Sequence, residues 1–396
     1  MKIKKSKLKF DKHIPLIFII LLILGFTYLS ATQKISTLQE TISNLASEKD
    51  KNYEELEKIS IELEELRKVD QVVRNDQLEK EIENIKKTYD KAVGIYEDLL
   101  DLKAKTKDTG ELDDLFAKAL SQLSLRDFGT AEAKLNELSS KITEEEKEIA
   151  ASFTIPESIP ENNSPPGSGY SRQTVNVSGL GSYLVSLIAG DLGSTRVIVD
   201  TASDSDCGND CPVLPLSSYI SRNGAYAGVN GTYFCPAEYP SCAGKTNSFD
   251  LLVMNHKKTY FNSDNNVYSS NPAVIFGNDY IRFVSSVSQW GRDTSPNGVI
   301  SNFPLLVFNS QVVFGGDDDP KKGSKGGRSF VSNKGNTVYI GVVHNATVAE
   351  SARVLQTLSM ENAMNLDNGG STALWSGGYK IGPGRNLPNV ILFIRK

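Results

Sequence analysis

The sequence predicts an α+β domain of mixed β-sheet and few helices, preceded by a transmembrane helix and an α-helical coiled-coil stalk. Three observations indicate this order: a basic segment followed by an apolar one, apolar residues at helical spacing among charged ones, and short β-rich runs between turn residues. The 396 residues suffice for two or three domains. We divide them into segments 1–31, 32–106, 107–152, 153–172 and 173–396.

The first segment predicts a membrane anchor. Met1–Lys12 holds six lysines and one acid, and Ile14–Leu29 is apolar apart from one threonine. With Ser30 and Ala31 the apolar run reaches the length that spans a bilayer. A cleaved signal peptide is the alternative, but cleavage after Ala31 would leave Leu29 where a small residue is needed. Because lysines stay on the cytoplasmic side, we expect a single-pass protein of the cell membrane with a cytoplasmic N-terminus and an extracytoplasmic C-terminal domain.

The cysteines support that location. They fall within 36 residues, and the sequence has no others: Cys207, Cys211, Cys235 and Cys242. Outside the cytoplasm, an even and clustered set predicts two disulfides. Three pairings are open. A zinc site is the weaker alternative, because spacings of four and seven do not make two Cys-x-x-Cys knuckles.

Segment 32–106 predicts the stalk, because it is rich in Glu, Lys, Leu and Ile and lacks proline. Apolar residues recur at spacings of three and four in two runs that are out of phase: Ile35, Leu38, Ile42, Leu45, Leu56, Ile59, Leu63 and Leu66, and then Leu78, Ile82, Ile85, Tyr89, Ala92, Tyr96 and Leu99. This pattern is typical of a coiled coil with a phase slip. A single charged helix in solvent is the alternative, and a homo-oligomer through the coiled coil is left open.

Two segments connect the stalk to the C-terminal domain. Helical spacing on both sides of Phe128–Thr130 predicts a helical hairpin over 107–152. Segment 153–172 is rich in proline, serine and glycine, so we predict an extended, poorly ordered linker and place the domain boundary there.

Segment 173–396 predicts the α+β domain, with short β-rich runs such as Ala273–Phe276 and Ile281–Val284 and one helix pattern at Ala346–Leu358. Four polar clusters each lie at one end of an apolar segment, where strands deliver functional side chains to a common rim: Asn230–Phe234, Gly326–Ser329, Val342–Asn345 and Met364–Trp375. In the last cluster Asp367 lies beside two glycines and two hydroxyl residues, which suits an acid next to an anion-binding turn. The net charge of −5 is spread over both signs and predicts no nucleic-acid partner.

Four segments of this domain resemble the phosphodiester glycosidase family, the group that includes the mannose-6-phosphate uncovering enzyme. They are Val229–Phe234, Phe303–Val307, Gly327–Ser329 and Asn365–Thr372, and their order and spacing also match. The resemblance covers roughly 185–394 and none of the stalk. One departure is Asn368, where the family usually has a third glycine. A side chain there would narrow the anion cradle or point into it, which bears on substrate identity more than on fold.

The resemblance implies hydrolysis of a sugar phosphodiester by Asp367, which acts on water or stabilises the oxocarbenium-like transition state. Arg328 and Asn230 complete the implied catalytic set: the arginine binds the phosphate through its planar fork, and the asparagine meets sugar hydroxyls or water. The implied substrate-binding residues are Gly231, Thr232, Asn368, Gly369, Gly370, Ser371, Thr372 and His344. A second carboxylate is expected from Glu350, Asp200 or Glu361. No cofactor is predicted, and a divalent metal is left open.

Three functions are compatible with these features. The first is a membrane-anchored, outward-facing hydrolase of glycosyl phosphodiesters that acts on cell-surface or cell-wall glycans. The second, favoured by the Asn368 departure, is a non-catalytic surface module that binds phosphate-containing glycans. The third is an assembly protein whose function lies in the coiled coil. Turnover of a sugar phosphodiester distinguishes the first from the other two.

Overall fold

The structure, a computed structural model, describes residues 14–262 and 268–396. The predicted basic segment Met1–Lys12 and His13 lie outside the described residues. The chain divides after Asn84 into two compact units, which are taken in turn.

The first unit is helical. Helix α1 (Ile14–Arg67) contains a stretch that is long and apolar enough to cross a membrane, a test that an anchor and a signal sequence both pass. The chain turns at Lys68 and Val69 before α2 (Asp70–Lys103) begins, and this turn falls between the two out-of-phase apolar runs. The first run is solvent-exposed, with Ile35 at 56% and Leu66 at 59% of full exposure. The coiled coil and its oligomer therefore stay predictions.

The second unit begins with three packed helices. The end of α2 meets α3 (Gly110–Ser124) and α4 (Phe128–Ser152), and Asp127 caps α4 by accepting a hydrogen bond from the Thr130 N–H at 3.0 Å. Apolar side chains from all three helices share one core: Ala92, Ile95, Leu99, Leu102, Leu112, Leu115, Ala119, Leu123, Ala131, Leu135, Leu138 and Ile142. We call the end of α2, α3 and α4 the helical bundle.

The rest of the second unit is β-rich. Its short helices are α5 (Leu216–Asn223), α6 (Pro320–Gly323) and α7 (Val348–Thr357). Its strands, in chain order, are β1 (Gly169–Val177), β2 (Gly181–Asp191), β3 (Thr195–Thr201), β4 (Ala227–Asn230), β5 (Val253–Met254), β6 (Tyr260–Phe261), β7 (Ala273–Phe276), β8 (Ile281–Val284), β9 (Gly298–Ser301), β10 (Leu305–Phe308), β11 (Gln311–Val312), β12 (Gly326–Lys334), β13 (Thr337–Ala346), β14 (Asn362–Asn365), β15 (Leu374–Ser376), β16 (Tyr379–Ile381) and β17 (Asn389–Arg395).

These strands form three antiparallel sheets. The orders are β1-β2-β13-β12-β14-β10-β11, β16-β15-β4-β17-β3, and β6-β5-β9-β7-β8. Alternate strand residues point to opposite faces, and the inward faces of the three sheets meet in one core that includes Val199, Val229, Val274, Val331 and Phe393. Helix α7 covers the other face of the first sheet and begins with a capping box between Thr347 and Glu350. An N-terminal helical part followed by an α+β domain is the predicted fold class.

The segment before β1 differs from the predicted linker. It is extended, but it is hydrogen-bonded along β1: the Asn162 N–H donates to Thr174 O at 2.8 Å, and the Thr174 N–H donates to Pro160 O at 2.9 Å. Strand β1 itself begins at Gly169, inside the predicted linker. Backbone groups that lie beside a free strand edge pair with it, and the proline-rich composition did not reveal this pairing.

The structure pairs the four cysteines in sequential order. Cys207 is bonded to Cys211 and Cys235 to Cys242, with Cα–Cα distances of 5.7 and 5.3 Å. The two predicted disulfides are present, and the alternative zinc site is ruled out because no cysteine is free. The second disulfide closes a short loop, 235–242, at the rim of the candidate site.

Candidate active site

The end of β14 leads into a turn at Asp367–Thr372, which two neighbouring strands hold in place. The Asp367 N–H donates to Gly231 O at 2.9 Å, just beyond β4. Ser329 of β12 donates its hydroxyl to Asn230 Oδ1 at 2.9 Å. Three of the four segments that resemble the family therefore meet at one point, as expected for clusters that follow neighbouring strands.

The side chain of Asn230 holds this turn in place through hydrogen bonds to its backbone. Its Nδ2 donates to Asp367 O at 2.7 Å, and its Oδ1 also accepts from the Ala373 N–H at 3.1 Å. The side chain is fully buried, at 0% exposure. The expectation that Asn230 meets sugar hydroxyls or water does not fit this burial. Its contacts are those of a residue that positions the turn.

Gly231 and Thr232 are also packed inside the domain. A Cβ on Gly231 would lie 1.8 Å from Asn389 Oδ1, so only glycine fits there. The Thr232 hydroxyl is buried and donates to Ser301 O at 2.7 Å. Both predicted substrate-binding residues therefore pack β4 against its neighbours and do not face the cleft.

Asp367 is half-buried and has an unusual acidity. Loss of hydration raises the pKa of its carboxyl to about 7, and this effect outweighs the Ser371 hydroxyl, the Arg385 charge and the Asn368 N–H, which lower it. The Asn368 N–H donates to Asp367 Oδ1 at 2.9 Å. A carboxyl group whose pKa lies near neutrality can exchange protons at physiological pH, which is the property of a general acid or base.

Asn368 does not point freely into the cradle. Its Oδ1 accepts from the Ser329 N–H at 2.8 Å, and its Nδ2 donates to Asn365 Oδ1 at 3.1 Å. Its φ is −128°, which any residue adopts, so the backbone does not demand glycine here. The Asn368 side chain, which departs from the family pattern, therefore links β12 to β14 by hydrogen bonds. It leaves the anion-binding turn open.

We expect Asn368→Gly to weaken the fold more than the chemistry. The substitution removes two side-chain hydrogen bonds, each worth about 1 kcal/mol, and frees the backbone of the turn. The melting temperature should fall, whereas KM for a sugar phosphodiester should change less than about twofold. Thermal unfolding and steady-state kinetics measure the two effects, and a gain in affinity would mean that Asn368 narrows the cradle after all.

The predicted anion cradle is smaller than expected. Three of its five N–H groups are engaged inside the turn: Asn368 to Asp367 Oδ1, Ser371 to Asn368 O at 3.3 Å, and Thr372 to Gly369 O at 3.1 Å. The Thr372 hydroxyl, however, is buried without a hydrogen-bond partner among the described residues, and the buried Ser371 hydroxyl makes no well-formed hydrogen bond but lies close enough to Asp367 to lower its pKa. Buried hydroxyls normally have partners, so these two are the groups of the turn that a ligand would satisfy.

Arg385 is the site residue that the sequence did not reveal. Its N–H donates to Gly370 O at 2.8 Å, and a Cβ on Gly370 would lie 2.7 Å from its Nη2, so the guanidinium lies against the turn. Its charge also acts on Asp367. The signal in the sequence was Gly382–Arg385, a Gly-Pro-Gly-Arg turn in which Gly384 has φ +64° and lets the chain approach Gly370.

Arg328 lines the same cleft, but its guanidinium group already donates hydrogen bonds to backbone carbonyls of the protein. Its Nε donates to Ala346 O at 2.9 Å, and its Nη2 donates to Lys321 O at 3.0 Å and to Ser324 O. The side chain is buried, at 6% exposure. The predicted bidentate grip on phosphate would need these bonds to break. In the structure, Arg328 instead holds the loop that contains α6 in place.

The three expected partner carboxylates lie outside the cleft. Asp200 is buried in an ion pair with Arg222 at 2.7 Å, which helps to lower its pKa to about 2. Glu350 caps α7 and pairs with Lys325 at 2.6 Å. Glu361 accepts from Asn333 Nδ2 at 3.1 Å. Each carboxylate already has a structural partner, so none is free to act with Asp367.

Asp250 is a carboxylate that does line the cleft with Asp367. It is exposed at the cleft surface, and its charge contributes to the raised pKa of Asp367. Its N–H donates to Tyr233 O at 3.3 Å, just beyond Gly231 and Thr232. Asp250 follows the second disulfide loop, and no motif marks it in the sequence.

His344 also lines the cleft. Its Nε2 is 3.0 Å from Ser186 Oγ, and its ring stacks on Phe153 with centroids 6.4 Å apart. Burial, with help from Arg172, lowers its pKa to about 4. His344 is therefore neutral at pH 7, and its predicted role in substrate binding stays a prediction.

The fold and the site define an α+β domain with a carboxyl group of raised pKa in a polar cleft. Residues 223–394 match the family model for phosphodiester glycosidases, the family that the four segments resemble. A search of curated proteins finds no match.

Two solved structures are similar in fold. The catalytic domain of zebrafish N-acetylglucosamine-1-phosphodiester alpha-N-acetylglucosaminidase, auto-inhibited by its pro-peptide, is 13% identical with a TM-score of 0.44, and the match covers 60% of this chain and 87% of that one. A hypothetical protein from Synechocystis is 14% identical with a TM-score of 0.41, and the match covers 57% of this chain. The chain spans 62% of the length of the Synechocystis protein.

Proposed function

We propose that the C-terminal domain hydrolyses glycosyl phosphodiesters, releasing a sugar from a phosphate monoester. The observation that supports this most strongly is the Asp367–Thr372 turn. In a segment that matches the family, it combines a carboxyl group of pKa about 7 with the buried hydroxyls of Ser371 and Thr372 and an adjacent arginine. An acid–base group beside anion donors suits a neutral sugar attached to a charged leaving group.

In this mechanism Asp367 takes a proton from water as that water attacks the anomeric carbon. A phosphate monoester is already a good leaving group, so it needs charge stabilisation more than protonation. Arg385 and the hydroxyls of Ser371 and Thr372 donate hydrogen bonds to the phosphate oxygens as negative charge grows on them. Asp250 supports the oxocarbenium-like transition state from the cleft surface. Arg328, Asn230 and Asn368 hold these groups in place.

The pH dependence of turnover follows from Asp367. A base is active only when deprotonated, and the carboxyl of the free domain titrates at about pH 7. We therefore expect kcat/KM to rise about tenfold per pH unit below pH 7 and to level off above it. A profile that falls above pH 7 would instead make Asp367 the proton donor.

The direct test is turnover. The full-length chain, solubilised in detergent, is incubated with a panel of sugar-1-phosphate methyl diesters, and release of free sugar and methyl phosphate is followed by chromatography. Asp367→Asn serves as the matched inactive control. Release of both products by the wild type alone supports the proposal. Binding of a diester without release would replace the hydrolase with a glycan-binding module, which Asn368 no longer favours.

We further propose that α1 anchors the protein in the cell membrane and that the domain faces outward onto cell-surface or cell-wall glycans. The two disulfides support an oxidising location. The exposed apolar run of α1 supports self-association through a coiled coil.

We expect protease added to cells with opened outer envelope layers to remove the C-terminal domain. An antibody against 173–396 follows the domain on a blot, and a cytoplasmic protein serves as the control for intact membranes. Protection of the domain while an outward-facing marker is digested would place it inside.

A further inference from the structure

The helical bundle forms one wall of the cleft. Asp101 of α2 and Glu146 of α4 line, together with Asp367 and Arg385, a cavity of about 2010 Å³. Ligand pockets usually measure about 300–1,000 Å³. The lining residues come partly from the β-rich domain and partly from α2 and α4 of the helical bundle.

One face of α2 attaches the bundle to the disulfide loop. Glu97 and Asp101 are four residues apart, which places them on the same side of the helix. Glu97 Oε1 accepts from the Ser241 N–H at 3.0 Å, and Asp101 Oδ1 accepts from the Tyr239 hydroxyl at 2.5 Å. Both partners belong to the loop that the Cys235–Cys242 disulfide closes.

Asp101 also reaches the cations of the site. Its Oδ1 is 3.8 Å from Arg385 Nη2, and its Oδ2 is 3.5 Å from Lys321 Nζ. The side chains of Asp101 and Arg385 are largely enclosed, at 23% and 17% exposure. The Arg385 guanidinium also lies 5.5 Å from the centre of the Tyr239 ring. Glu97, one turn earlier on α2, has no such contact with Arg385 among the described residues.

We propose that Asp101 is a positioning residue for phosphate binding. Its carboxylate, itself oriented by Tyr239, holds the guanidinium of Arg385 beside the Asp367–Thr372 turn. An arginine that is already oriented loses less conformational freedom when it binds a phosphate. The helical bundle is then part of the active site. This inference rests on the proposed function, because it takes the phosphate of a glycosyl phosphodiester as the ligand.

The test measures binding of methyl phosphate, the smallest leaving group, to the full-length chain by isothermal titration calorimetry. We expect Asp101→Asn to weaken binding about tenfold, because the amide no longer forms the ion pair that holds the Arg385 guanidinium in place. Tyr239→Phe changes no charge and keeps the ring under Arg385, so it isolates positioning, and we expect a loss of about threefold. Glu97→Gln, which removes a charge from the same helix face, is the matched control and should stay within about twofold of wild type.

Two results would overturn the inference. If Asp101→Asn binds methyl phosphate as tightly as wild type or more tightly, Asp101 is idle or competes with the ligand. If Glu97→Gln loses as much affinity as Asp101→Asn, the effect belongs to attachment of the bundle in general. Turnover of the diesters separates the two proposals: an active wild type whose KM is unchanged in Asp101→Asn refutes only the positioning role, whereas an inactive wild type refutes the hydrolase.

Discussion

Replacing Asp367 with asparagine should lower kcat about 100-fold or more and leave KM for a sugar phosphodiester nearly unchanged or lower. The amide keeps the shape of the side chain and can still accept the Asn368 N–H, but it cannot take a proton from water. Removal of a negative charge near the bound phosphate also favours substrate. Steady-state kinetics at pH 8, where the wild-type carboxylate is ionised, gives the clearest comparison.

The same variant should be more stable than wild type at pH 8. The pKa of Asp367 rises from 3.8 to about 7 on folding, so its contribution to stability is present below pH 3.8 and lost as pH rises through 7. Asparagine avoids that loss, with a gain on the order of 2 kcal/mol after allowance for partial exposure. The gain should shrink towards pH 4 in thermal unfolding. A folded variant with full turnover would move the base to Asp250.

Replacing Arg385 with alanine should lower kcat/KM about 100- to 1,000-fold. The side chain supplies donors to phosphate oxygens whose charge grows in the transition state, so KM should rise and kcat should fall. Arg385→Lys keeps the charge but loses the planar fork, and we expect a loss of about tenfold.

The control for Arg385 is Arg353→Ala. Arg353 is an exposed arginine on α7 and is absent from the cleft lining. Its kinetics should match wild type. If Arg385→Ala also matches wild type while Arg328→Ala fails to bind substrate, the phosphate belongs to Arg328, as the sequence predicts.

Local sequence patterns predicted the strands and helices whose conformation depends mainly on the spacing of their own apolar residues. The apolar β-rich runs at Ala273–Phe276 and Ile281–Val284 coincide with β7 and β8, and the helix pattern at Ala346–Leu358 contains α7. The density of glycines and hydroxyls around Asp367 marked the acidic turn. Strand β1 was missed because its residues, Gly169–Val177, are mostly polar and its pairing with β2 decides its conformation.

The partners of Asp367 depend on contacts between distant parts of the chain. Arg328 lies in a motif, but the direction of its fork is set by carbonyls of the loop that it folds against. Arg385 and Asp250 lie in no motif and reach the site through the turn at Gly384 and the loop after Cys242. Asp101 comes from the predicted stalk. A sequence read in windows does not reveal such convergence, because each residue looks ordinary among its neighbours.

Strand β17 has a consequence for how the protein is made. It lies between β4 and β3, and Asn389 at its start accepts the Thr232 N–H across 157 positions of sequence. Neither β3 nor β4 can complete its sheet until β17 has been synthesised, and pairings this distant form slowly. If the chain crosses the membrane while it is being translated, this sheet stays incomplete, and its strands stay compatible with a narrow export channel until β17 is made. Folding then starts on the far side, where the disulfides can also form.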